Sequence, residues 1–316
     1  MEVLVRKVLS VLWVLTLAAA CEELAPPVTA PLKPAYVIPP PIDPCSSTGA
    51  CTTWTYDGLV LPTQFTTSYC FGSFGSYDRD VDGIRDDCEY QIAKWFRPML
   101  ARNNNDEAPE RETYWAVKRK PNTSTVQVFY ALGYYWDAGE SFGFGSHPGD
   151  SEFIMLEITN YGWPSVPSLW TLDAATLSAH WGVTGYFEQD HTGTYGYSAL
   201  EYPSTYRGRP RIWVSKNKHA NYRSKDQCNF SGGVDYCDQL RDGTTYEDAE
   251  VFESANVGSK NNKLLNCVGS RHPGLYRAGY GVECLWATGA GGFAGWNVNR
   301  NGASTGYGTM LEFYGF

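Results

Sequence analysis

The chain is short of positive charge: 25 Lys and Arg stand against 34 Asp and Glu, for a formal charge of -9 and a pI near 5.1. That shortage argues against nucleic acid as a partner, because phosphate recognition needs a basic stripe. After the first 20 residues there is no apolar run long enough for a membrane-spanning helix. The nine cysteines include no Cys-x-x-Cys pair, which weakens a zinc-binding reading. No His-Glu-x-x-His occurs, so the zincin route lacks its motif. Gly-x-Ser-x-Gly spacing occurs only in Gly-rich stretches, Gly139–Gly143 and Gly302–Gly306, with no strand-to-helix turn to make a nucleophile elbow. Internal repeats are also lacking.

What is present begins with an export signal. Arg6 and Lys7 precede the apolar stretch Val8–Ala20, which at 13 residues is too short to span a bilayer. Residues 1–20 read as a signal peptide. Ala18, Ala19 and Ala20 lead into Cys21, a lipoprotein-like box in which Cys21 carries the lipid and meets the membrane surface; ordinary secretion is the alternative. Residues 21–44 form a Pro-rich tether, since repeated Pro excludes helix and sheet pairing. Residues 45–316 read as a single domain.

Removing Cys21 leaves eight cysteines, an even number that suits four disulfides in an exported chain. Pairing sequence neighbours gives Cys45–Cys51, Cys70–Cys88, Cys228–Cys237 and Cys267–Cys284. Eleven Trp, 22 Tyr, 14 Phe and 32 Gly favour a loop-rich β protein. Thr125–Trp136 and Arg209–Lys216 read as strands, as does Ser151–Ile158, whose alternation is less clean. Leu172–Trp181 fits a strand or a short helix. One helix is expected from Asp87 to about Phe96, ended by Pro98. The predicted fold class is mainly β: an antiparallel β-sandwich with long disulfide-braced loops and a few short helices.

The strongest motif is DRDVDGIRDDCE, Asp78–Glu89, followed by the helix to residue 97. It matches a twelve-residue calcium loop: Asp78, Asp80 and Asp82 at positions 1, 3 and 5, Gly83 at the sharp turn, the Ile84 carbonyl at 7, Asp86 at 9 and Glu89 at 12. Six acids and two arginines leave a net charge of -4 in twelve residues, a repulsion that a bound Ca2+ relieves. The preceding SYCFGSFGSY is too rich in Gly and Ser for a paired EF-hand. The loop resembles the isolated calcium loops of dockerin and thrombospondin type 3 repeats, which implies a structural ion.

A second cluster lies in GFGSHPGDSEFIMLEI, Gly143–Ile158. His147 precedes Pro148 and Gly149, read as a turn, and Asp150 and Glu152 follow two apart. His147, Asp150 and Glu152 suit a second divalent ion with open positions for water or ligand; from spacing alone, a turn with His147 bonded to Asp150 is the stronger reading. His219, in SKNKHANY, sits at a strand exit beside Lys216 and Lys218, a locally basic loop that suits an anionic ligand or a solvated turn. His180 stands in a third place; His191 and His272 are given no role.

Three pieces occur in order: His-x-Gly-Asp-x-Glu at 147–152, Ser-Ala-His at 178–180 and Val-Ser-Lys-x-x-His-Ala-x-Tyr at 214–222. Together they resemble the Vps62-like proteins and, more distantly, the NPP1 necrosis-inducing family. The resemblance implies a β-sandwich, a divalent metal near His147, Asp150 and Glu152, His219 close by, and recognition of membrane head groups. Ser151 replaces the Trp usual between the acids of the Vps62-like pattern, and Gly149 replaces the second His of the necrosis-inducing heptapeptide.

Two functions are open at this stage. One is an exported, calcium-stabilised binding protein for a polar surface ligand, a head group or a glycan. The other is a metal-dependent hydrolase, with His147 or His219 as proton carrier, or a secreted cytolysin-like virulence factor. Whether the chain is an enzyme is left undecided.

Overall fold

A computed structural model describes residues 53–54, 59–60, 65–103, 105–106, 111–137, 147–162, 168–179, 193–202, 209–230, 235–237, 247–249, 251–259, 261–262, 264, 267–268, 283–284 and 315–316. The signal peptide, Cys21, the tether, Cys45, Cys51, His180, His191 and His272 lie outside these. The chain divides into Met1–Ile42 and Asp43–Phe316, and every described residue belongs to the second unit.

In chain order the elements are β1 (Thr53–Trp54), β2 (Leu59–Val60), α1 (Thr67–Cys70), α2 (Asp86–Phe96), β3 (Met99–Ala101), β4 (Arg111–Arg119), β5 (Thr125–Asp137), β6 (His147–Asn160), β7 (Leu169–Leu177), β8 (Gly193–Gly196), β9 (Arg211–Val214), β10 (Asn221–Tyr222), α3 (Lys225–Phe230), β11 (Glu247–Asp248), β12 (Cys267–Val268) and β13 (Glu283–Cys284). The first sheet has the order β1-β2-β7-β6-β5-β4, with β8 also on β7, and is antiparallel throughout. The second has the order β10-β9-β3-β11 and is mixed, because β3 and β9 run parallel. The protein is mainly β and mainly antiparallel, as expected, with short helices and braced loops; β3 with β9 is the parallel exception among the described strands. Leu172 to Leu177 is strand, which settles the one ambiguous segment.

Residues of both sheets share one apolar core: Val126, Val128 and Leu156 from the first, Leu100, Ile212 and Val214 from the second, all essentially buried. Helix α2 adds Ile92, Ala93 and Phe96, and the Tyr130 hydroxyl in β5 donates to the Ala93 carbonyl at 2.7 Å. Strand β6 buries residues of both parities, Phe153 and Met155 as well as Ile154 and Leu156, so its sequence runs apolar instead of alternating.

Strand β6 is longer than its apolar stretch predicts. His147–Asp150 are strand, not turn, and pair regularly with β5: Asp137 with His147, Trp136 with Pro148, Tyr134 with Asp150. Pairing with β7 begins only at Ile154 opposite Leu177. Among the described residues the first part of β6 therefore has one neighbour strand, and Pro148, which has no N–H to give, is tolerated there.

Helix α2 starts with Asp86, Asp87 and Glu89 in its first turn, where the helix dipole favours negative charge, and stops before Pro98. Beyond it, Asp248 in β11 accepts from Arg97 at 3.2 and 2.6 Å and also from Arg209. Among the described residues two disulfides are present, Cys70–Cys88 and Cys228–Cys237. Cys267 and Cys284 are register partners across β12 and β13. Disulfides belong to oxidising compartments. Among the described residues no helix is long and apolar enough to cross a membrane.

Candidate metal centre and motif cluster

The segment before the acidic loop is not wholly irregular: Thr66 caps the single helical turn α1, accepting from the Tyr69 N–H at 3.3 Å. The Cys70–Cys88 bridge then joins α1 to α2. Between them the Gly72 N–H donates to the Gly83 carbonyl and the Arg85 N–H to the Cys70 carbonyl, both at 3.0 Å, on either side of a Phe71–Ile84 bridge. Ile84 sits between those two bonds, so its own N–H and C=O leave on the loop side, and its N–H reaches Asp82 Oδ1 at 2.8 Å. Gly83 has φ +88°, the left-handed conformation that the loop's sixth position requires.

The carboxylates converge. Oxygens of Asp80, Asp82 and Glu89 lie within 4.8 Å of one another, and so do those of Asp78, Asp80 and Asp86. Asp78 shapes the turn, accepting from the Asp82 N–H at 3.2 Å and the Gly83 N–H at 3.0 Å. Asp86 accepts from the Arg79 N–H at 3.0 Å and pairs with its guanidinium. In this loop four buried oxygens have no hydrogen-bond partner among the described residues: both of Asp80, Oδ2 of Asp82 and Oε1 of Glu89. Asp80 and Glu89 are 0% exposed.

Burial without donors makes ionisation costly. It pushes Asp80 up to about 7, with Asp78 and Asp86 adding repulsion. Asp82 is pushed up to about 8 by burial and then by Asp80. Glu89 is raised well above its ordinary value by burial, then by Asp82 and Asp80. Neighbouring Asp87 goes the other way: hydrogen bonds from Arg85 and Tyr69 outweigh its burial and lower it. The loop thus presents an oxygen-only donor set, buried and short of positive partners, which fits a hard divalent cation. The five carboxylates of the calcium-loop pattern, Asp78, Asp80, Asp82, Asp86 and Glu89, all contribute to these two groups of converging oxygens.

The second cluster is more dispersed. Glu152, 3% exposed, accepts from the Ser178 hydroxyl, and the Phe153 N–H donates to Ser178 Oγ at 2.6 Å. The Asn221 N–H donates to the Ser178 carbonyl at 2.8 Å, and its side-chain amide to the Phe153 carbonyl at 3.2 Å. The three motif pieces are therefore stitched together by Glu152, Ser178 and Asn221, with Phe153 directly after the first piece; Phe153 and Asn221 hold no fixed place in the motifs. For His147 and Asp150 the backbone register is what is described.

His219 lies close by, turned inward instead of out of its loop. It is 0% exposed and stacks on Tyr134, the register partner of Asp150, with centroids 3.8 Å apart and planes 4° apart. Its Nε2 is 3.4 Å from Asp106 Oδ1, and Arg102 lies 4.0 Å from Asp106 Oδ2. Its φ is +57°, a left-handed backbone within the tight turn after β9. Lys216 and Lys218 remain half-exposed, and the Lys216 N–H donates at 2.8 Å to the carbonyl of Tyr236, a residue 51% exposed.

No family model matches the chain, and no curated protein does. Among solved structures one similar chain is "NLPPya in complex with glucosamine", at TM-score 0.29 and 14% identity, covering 43% of this chain and 67% of that one.

Proposed function

We propose that this is an exported binding protein whose fold is braced by one Ca2+ at Asp78–Glu89. The observation that carries the ion is the set of four buried, unpartnered carboxylate oxygens on Asp80, Asp82 and Glu89. Asp80, Asp82, Glu89 and the Ile84 carbonyl would hold it, with Asp78 and Asp86 alongside. Bound there, the ion supplies positive charge that neutralises the carboxylates; the chain's own contribution is to fix the loop and the first turn of α2. Metal analysis and calorimetric titration of the purified protein test this. Wild type should bind calcium, and Asp80→Asn should lose it; a wild-type protein without calcium affinity refutes the reading.

The ligand is a polar surface group, a head group or a glycan. Support comes from exposed Tyr236 beside Lys216 and Lys218, since an aromatic face with nearby cations suits such ligands. His147, Asp150 and Glu152 are proposed as a second divalent site next to that surface, on the motif resemblance. Binding is favoured over hydrolysis because His219, one of the two proton carriers the hydrolytic reading names, is wholly buried under Tyr134. Metal content of wild type against Asp150→Ala separates two ions from one. A glycan array and a liposome pull-down identify the ligand class; a blank in both overturns the binding role. Lipidation at Cys21 is proposed as the anchor, and mass spectrometry of the mature N-terminus decides between it and free secretion.

A further inference from the structure

The acidic loop does not stand alone. The segment 252–259, far away in sequence, packs against it and against β4. Asn256 forms a parallel bridge with Trp115, whose carbonyl accepts from the Val257 N–H at 2.8 Å. The Trp115 indole N–H donates to the Phe252 carbonyl at 2.8 Å. Ala255, Asn256 and Val257 are at most 4% exposed. From this buried position Asn256 Nδ2 donates to Glu89 Oε2 at 3.1 Å, while its Oδ1 accepts from the Gly258 N–H at 2.9 Å. The Ser259 hydroxyl donates to the Asp80 backbone carbonyl at 2.7 Å.

Each contact bears on a different part of the candidate centre. Asn256 occupies one oxygen of Glu89 and leaves Oε1 as the unpartnered one, so it fixes the plane in which the carboxylate meets Asp80 and Asp82. An amide donor also favours the ionised carboxylate that a metal requires. Ser259 holds the backbone of Asp80, whose two side-chain oxygens are both without hydrogen-bond partners. Gly258, between them, has φ +72°, and a Cβ there would lie 2.7 Å from the Asn262 carbonyl oxygen, so the turn that aims Asn256 and Ser259 has a single well-defined shape.

We propose that segment 252–259 is part of the cation site, with Asn256 as positioning residue for Glu89, so that ion binding and docking of this segment onto β4 form one coupled equilibrium. This rests on the calcium reading of the loop and adds to it a regulatory element. Ion occupancy tightens the segment, and whatever loosens the segment weakens the ion by the same factor.

The test uses the full mature protein and calcium alone. Asn256→Asp keeps the side chain's size but removes the donor; calcium affinity should fall about 10- to 100-fold, the range for losing an outer-shell partner. In wild type, calcium should slow hydrogen exchange at the Asn256, Val257 and Gly258 amides and leave the β5 amide of Phe129 unchanged. If wild type binds calcium but its exchange at 256–258 does not respond, the coupling is overturned while the calcium site stands. Unchanged affinity in Asn256→Asp overturns the positioning role likewise. If wild type takes up no calcium, it is the underlying reading that fails. The exchange measurement needs no variant, so a misfolded Asn256→Asp does not remove the test.

Discussion

Two carboxylate sites in this protein meet the cost of leaving water in opposite ways. Asp248 is partnered by Arg97 and Arg209, and those cations lower its pKa against the penalty of burial. Asp80 and Asp82 have no such cation and are raised to about 7 and about 8 by burial. The first cluster carries its counter-charge within the chain. The second has no such partner among the described residues, an arrangement that an external cation would complete. Neutral interior sites for acids need donors or arginines; a loop with four unpartnered oxygens has the shape of a site completed by an inorganic ion.

That contrast can be broken most forcefully by chelation. At calcium a thousandfold above its dissociation constant, binding adds about 4 kcal/mol to stability, or on the order of 10 °C in Tm for a domain of this size. Calorimetric scans with and without chelator should show that loss in wild type and none in Asp80→Asn. The same variant should be more stable than wild type when both are calcium-free, because one of the repelling charges is gone. Asp248→Ala gives the opposite pattern: it strands two arginines, costs about 3 kcal/mol, and costs the same with or without calcium in denaturant titration.

The pH dependence sharpens the difference further. Unfolded, Asp80 and Asp82 titrate near 3.8; folded and calcium-free, near 7 and 8. Between those values the unfolded chain has lost protons that the folded one keeps. Calcium-free stability should therefore fall as pH rises from about 4 to 8. With calcium the folded carboxylates are ionised, so neither state carries these protons above about pH 5 and the fall should disappear there; stability is then lost only as pH drops towards the unfolded value. Denaturant midpoints at several pH values, with and without calcium, check both slopes. The smallest effect is expected at Val81, a β-branched residue at φ +54° and 69% exposed. Left-handed backbone strains Val, whereas Gly accepts it at some entropic cost. Val81→Gly should gain less than about 1 kcal/mol, and a thermal melt in calcium would show it.

The parts of the site that could be read in advance are those whose atoms are neighbours in sequence. Asp78 to Glu89 form one loop, so their spacing carries nearly all the geometry, and the helix after them was misplaced by one residue at its start. Strands β5 and β6 were legible from β-branched and aromatic content. The strand character of His147–Pro148–Gly149 was not, because Pro and Gly read as a turn unless one knows that β5 lies alongside. Asn256 and Ser259 stand 167 and 179 residues from Glu89 and Asp80, and no local pattern marks two such common residues. His219 looked like an outward loop residue; the stacking of Tyr134, from a distant strand, is what buries it. The parallel register of β3 with β9 likewise depends on chain reversal, not on either strand's own sequence.

The bridge from Cys70 to Cys88 encloses almost the whole of the acidic loop in a covalent ring. Stripping the ion from the oxidised protein leaves the ends of that ring joined, so reloading is a local event with little chain entropy to recover. Once the bridge is reduced, the same stripping frees both ends, and recovery becomes a folding problem. With an ion at the proposed site, thiol redox conditions would decide whether its loss is a pause or an unravelling.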